Sequence, residues 1–109
     1  MRSGYLSEYR IKKDLIKEFG KNNVIKIAIS QMGSDFLIVK KGKIIKLVEV
    51  KETIKNKKYF NKREQEQLER IKEFAKVHNI QADLVVIFRR GKGKKIIKHK
   101  IHIYRQNEI

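Results

Sequence analysis

Cysteine is absent from this 109-residue chain, which excludes disulfides, thiolate metal sites and cysteine nucleophiles. The same absence accords with an intracellular location. Proline is missing too, while lysine and isoleucine are abundant, a bias that an AT-rich genome or a thermophilic source would produce. No apolar run approaches the length needed to cross a bilayer, and the opening Met1-Arg2-Ser3-Gly4 lacks the apolar core of a secretory signal. The expectation is a soluble intracellular protein with no membrane partner. Acidic residues are scarce, 12 Asp and Glu against 28 Lys and Arg. The formal net charge of +16 and pI near 10.2 favour a phosphate-rich polyanion such as nucleic acid as partner.

Several chemistries are missing as well. The turn around Gly91 and Gly93 lacks both the GKS/T ending and the following helix of a phosphate-cradling P-loop. No Ser-His-Asp grouping points to acyl transfer. His78, His99 and His102 do not have the mutual spacing of zinc ligands and read as surface or packing residues. There is no repeat, low-complexity tract or linker. With this length and 40% hydrophobic residues in periodic blocks, residues 1–109 are expected to form one domain with a modest core.

What is present centres on residues 34–52, SDFLIVKKGKIIKLVEVKE. Asp35 precedes the apolar run Phe36 to Val39, Lys41-Gly42-Lys43 supplies a turn, and Ile44 to Lys51 is a second strand rich in β-branched residues. Glu49 and Lys51 are two apart and project to the same side, roughly 6.6 Å from each other along the strand. Two carboxylates and a lysine thus converge at one end of a β-hairpin. Asp35 and Glu49 suit a hard cation such as Mg²⁺, with Mn²⁺ as a substitute. Lys51 suits orientation of an attacking water or stabilisation of developing charge. The competing reading is a same-face ion pair on a half-exposed strand.

Around the hairpin, residues 3–19 space Leu6, Tyr9, Leu15, Ile16 and Phe19 as an amphipathic helix, with Ser3 as N-cap and Gly20 as stop. Within it, Glu8 has Lys12 as its expected partner. Val24 to Ser30 reads as a short strand, and 31–34 as a connector into Asp35. Ser30 is placed to bond either a phosphate oxygen or local backbone. Residues 53–62 form a basic stretch in which Lys55, Lys57 and Lys58, joined by Arg63, are candidate DNA contacts, with Tyr59-Phe60 set among them. Asn61 and Glu64 form a capping box for a second helix whose buried stripe is Leu68, Ile71, Phe74, Ala75 and His78, with Phe60 as hydrophobic staple. Gln65, one turn in, either faces the site or lies in solvent. Ala82 to Arg89 reads as a strand buried on both faces, and Ile96 to Tyr104 as a closing strand. The expected class is α/β, a mixed β-sheet flanked by helices in the order αβββαββ.

Asp35 followed by Glu49-Val50-Lys51 resembles the PD-(D/E)xK motif of the restriction-endonuclease-like nucleases, and the element order resembles theirs. Within that superfamily the chain is similar to archaeal-type Holliday-junction resolvases, cellular or viral. Three further stretches carry the likeness: Gly4-Tyr5-Leu6-Ser7-Glu8 in the first helix, Ser30 upstream of the aspartate, and Arg63-Glu64-Gln65 with Phe74-Ala75 in the second helix. The resemblance implies a catalytic set of Glu8, Asp35, Glu49 and Lys51, with metal held by Asp35, Glu49 and Glu8, and with Ser30 and Gln65 in support. It also implies a homodimer that resolves four-way DNA junctions in recombination and repair, in an archaeal or virus-infected cell. The alternatives are another nuclease of the same superfamily and a non-catalytic basic module whose affinity comes from lysines alone.

Overall fold

The computed structural model describes residues 3–27, 35–54, 57–89 and 96–106, with side chains from Ser7 onward. Its elements are α1 (Ser3–Phe19), a 3₁₀ turn (Lys21–Asn23), β1 (Val24–Lys26), β2 (Phe36–Lys40), β3 (Lys43–Thr53), α2 (Lys62–His78), β4 (Gln81–Arg89) and β5 (Ile96–Tyr104). This is the order αβββαββ expected from the sequence. One five-stranded sheet runs β1-β2-β3-β4-β5; β3 and β4 are parallel and the other neighbours antiparallel. The parallel pair needs a crossover, and α2 provides it.

Alternation along β3 divides the core. Val48 and Val50 face α1 and pack with Ile11, Leu15, Phe36, Ile38, Val85 and Ile87. Leu47 faces the other way and packs with Ile71 and Ala75 of α2, Ile80 and Ala82. Glu49 and Lys51 share the parity of Leu47 and so lie on the α2 side, while Glu52 lies on the α1 side. Lys40 pairs with Lys43 across a two-residue turn in which Lys41 (φ 51°) and Gly42 (φ 78°) are both left-handed, the backbone that a tight hairpin requires.

Some local expectations change. Ser3, the expected N-cap of α1, is itself helical. Gly20 does stop the helix, at φ 98°, its N–H donating to Ile16 O at 2.8 Å, and Asn23 caps Phe19 O at 2.7 Å. The first strand is described only over Val24–Lys26, and residues 28–34, Ser30 included, lie outside the described residues. The capping box of Asn61 and Glu64 is present, and Ile71 and Ala75 are the buried heart of α2. His78 is exposed and stacks on Phe74 at 4.4 Å instead of joining the core. On β5, Ile97 and Ile101 remain 54% and 41% exposed, since α2 covers only part of that face.

Candidate active site

Strand β3 carries the centre. Glu49 is buried to 1% exposure, and its Oε1 has no hydrogen-bond partner among the described residues. Its Oε2 lies 3.3 Å from Lys51 Nζ. Burial first, and the neighbouring Asp35 carboxylate second, push the Glu49 carboxyl up to about 9, with Lys51 pulling weakly the other way. Asp35 sits just ahead of β2 and is fixed by the β3 backbone: the Val50 N–H donates to its Oδ2 at 2.8 Å, and its own N–H donates to Val48 O at 3.1 Å. The two carboxylates therefore meet across the β2/β3 ladder, held by hydrogen bonds that do not depend on side-chain packing.

The remaining oxygen of Asp35 faces a cation that the sequence reading passed over. Lys26 Nζ, on β1, lies 3.5 Å from Asp35 Oδ1 and 2.9 Å from Glu8 Oε2. Burial would lower the Lys26 ammonium, but the hydrogen bond to Glu8 and the charges of Asp35 and Glu8 outweigh it and raise it. Glu8 thus turns to Lys26 across the sheet edge and not to Lys12 along its own helix. Lys26 Nζ also stands 5.1 Å from the Phe36 ring, which fixes the stem of the side chain.

Helix α2 closes the other side. Lys51 Nζ donates to Gln67 Oε1 at 2.7 Å and lies 3.9 Å from Glu64 Oε2. Glu64 also accepts Lys58 at 3.0 Å and the Asn61 N–H at 3.2 Å, which together hold its carboxyl below the usual glutamate range against the opposing effect of burial. Lys58 is thereby tied to α2, with its ammonium 5.4 Å from the Phe60 ring, whereas Lys57 and Arg63 are exposed and Lys55 lies outside the described residues. Gln65 does not turn to the carboxylates: its Nε2 donates to Phe60 O at 2.8 Å, beside a groove formed with Leu68, Leu84, Ile101 and Ile103. Gln67, which the sequence did not single out, is the α2 residue that meets Lys51. The signal for it was its spacing, three residues beyond Glu64 and four before Ile71, on the inward stripe of the helix.

A hard divalent cation fits Asp35 and Glu49. A buried carboxylate with an orphan oxygen and a strong preference for a proton is relieved when a cation displaces that proton and supplies the missing partner. Two carboxylates plus water is also an ordinary protein share of a Mg²⁺ shell. Among the described residues no three acidic or imidazole groups close on one point. Glu8 consequently faces the pair across the Lys26 ammonium.

No protein-family model matches the chain, and no curated protein matches it. Among solved structures, Archaeoglobus fulgidus Hjc, a Holliday junction resolvase from an archaeal hyperthermophile, is similar at 23% identity, with 82% of this chain and 72% of that chain covered and a TM-score of 0.49.

Proposed function

We propose that this chain is a Mg²⁺-dependent endodeoxyribonuclease acting on four-way DNA junctions. The observation that carries the nuclease reading is the buried Glu49 carboxylate, with its orphan oxygen and raised pKa, beside Asp35 and 3.3 Å from Lys51. Asp35 and Glu49 would hold the metal, which when bound polarises a phosphate oxygen and acidifies a water. Lys51, held by Gln67 and Glu49, orients that water or meets charge developing on the phosphate. The backbone amide of Val50 keeps Asp35 in line with Glu49 whatever the metal does. Lys57, exposed in the loop before α2, and Arg63, exposed in its first turn, are DNA contacts, and Lys58 joins them once released from Glu64. The net charge of +16 supports a nucleic-acid substrate.

Junction specificity and a homodimer rest on the likeness of the sequence to resolvases. A two-fold pair of subunits supplies the two nicks that a two-fold junction needs. The half-exposed Ile97 and Ile101 on β5 supply apolar surface for such a pair. A labelled four-way junction, a linear duplex and a single strand, each incubated with Mg²⁺ or with chelator, test the proposal. Paired nicks confined to the junction, and lost with chelator, are expected. Equal cutting of all three DNAs would remove the junction specificity, and metal-independent retention without cutting would leave a basic binding module.

A further inference from the structure

A second polar cluster lies on the opposite side of β3 from Glu49 and has no part in the chemistry above. Ser7, in the first half of α1, is buried to 1% exposure, and its hydroxyl donates to Glu52 Oε2. The same oxygen accepts Arg89 Nη1 of β4 at 3.2 Å. One carboxylate thus ties together α1, β3 and β4. A buried serine on an amphipathic helix would ordinarily be alanine unless its hydroxyl had a partner to satisfy, and here the partner is a charge 45 residues away. Ile11 and Leu15 anchor the helix by apolar contact further along. Ser7 immediately precedes Glu8, the residue that reaches over the sheet edge to Lys26 and so to Asp35.

We infer that the Ser7, Glu52 and Arg89 cluster is a clamp that positions Glu8, and that Glu52 is a positioning residue of the active site acting from the face of the sheet opposite to Glu49. The inference rests on the nuclease reading for the use to which Glu8 is put. The physical reason is leverage. A helix held by apolar contact at Ile11 and Leu15, in its third and fourth turns, can rock about Ile11, and a short movement there would carry the Glu8 carboxylate away from Lys26. The charged hydrogen bond at Ser7 removes that freedom next to the residue that matters. Glu52 can do this because alternation sends its side chain to the α1 side while Lys51, its neighbour, points to α2.

The test uses Ser7→Ala and Glu52→Gln in the full chain, alone and combined with Glu8→Gln. Each single variant is expected to weaken Mn²⁺ binding, followed by calorimetry without DNA, and to slow Mg²⁺-dependent junction cleavage, both by about tenfold, the lower end of what loss of an orienting partner costs a metal site. Ser7→Thr keeps the hydroxyl and returns both quantities to near wild type. In the Glu8→Gln background the added losses shrink to less than about twofold, because a residue acting through Glu8 has nothing left to position. Should Ser7→Ala fail to fold, Glu52→Gln, which preserves shape, carries the same comparison. Full additivity with Glu8→Gln, or single variants that bind Mn²⁺ and cut like wild type, overturns the clamp and leaves the nuclease reading standing. A wild type that binds Mn²⁺ but cuts no DNA overturns the nuclease reading, and the clamp then stands or falls on the binding cycle. A wild type that binds no Mn²⁺ overturns both.

Discussion

At the scale of single residues, Glu49 sets stability against function. In the metal-free protein its carboxyl is pushed up to about 9, whereas the unfolded chain releases the same proton near 4.5. Between those values the folded state binds more protons than the unfolded state, so stability is full below about pH 4.5 and falls as pH rises towards 9. Glu49→Gln removes the titration. It is expected to raise stability in chelator at pH 7 by up to roughly 3.5 kcal/mol, at about 1.4 kcal/mol per pH unit above the unfolded value, and to flatten the pH slope seen in urea melts. The same substitution, like Asp35→Asn, should abolish cleavage and leave junction binding in gel shifts nearly intact, because it removes a proposed metal ligand and not a lysine. A Glu49→Gln protein that cut at the wild-type rate would remove Glu49 from the site. Lys51→Ala should slow cleavage far more than it weakens binding, and single-turnover rates beside equilibrium titrations separate the two.

At the scale of elements, the sheet is stapled at the end away from the site by a second buried carboxylate. Asp83 accepts Gln81 and His102 at 2.7 Å each through Oδ1 and meets Lys46 at 3.3 Å through Oδ2, which joins β3, β4 and β5. Burial alone would raise the Asp83 carboxyl, and these three partners reverse that and lower it. Its contribution is therefore present above pH 4 and lost on acidification. Asp83→Leu leaves Lys46 without this partner and is expected to cost about 3 kcal/mol in urea unfolding, while catalysis per folded molecule stays unchanged. Nothing in the sequence pattern announced this staple, because Asp83 sits inside a run that reads as continuously apolar and its partners come from three separate strands. The elements themselves were legible wherever a local rule fixes them: the Asn61 and Glu64 capping box, the Lys41-Gly42 turn, and the apolar block of β4. Glu49 and Lys51 could be placed on one face from their spacing alone. Lys26 and Gln67 could not be assigned, since a lysine in a strand and a glutamine on a helix acquire their roles only when the register of β1 and the rotation of α2 are known. Ser7 and Glu52 were hidden for the same reason.

At the scale of the whole molecule, an excess of sixteen positive charges would make salt the main control on the proposed DNA binding. Lys57→Ala, at an exposed site, should reduce the slope of log affinity against log salt by about one unit. Lys58→Ala should do less at equilibrium, because its ammonium is already engaged by Glu64 at 3.0 Å and must give up that contact to reach a phosphate. An equal slope change for both would show that the Glu64 pair is not maintained in solution. Light scattering at micromolar concentration is expected to give twice the chain mass, and Ile97→Asp or Ile101→Asp to return it to a single chain, if the uncovered face of β5 is where two copies meet.

Among the described residues β5 is the longer of the two strands that edge the sheet. β5 spans nine residues, and its defence is the Lys98-His99-Lys100 segment at its middle. That defence is electrostatic, so it weakens whenever the positive charge is matched. Near charge balance with DNA, or in concentrated sulfate, copies of the protein should begin to pair along β5. The result would be turbidity that redissolves when either partner is in excess, and a recombinant preparation would be best kept with its nucleic acid fully removed or well above saturation.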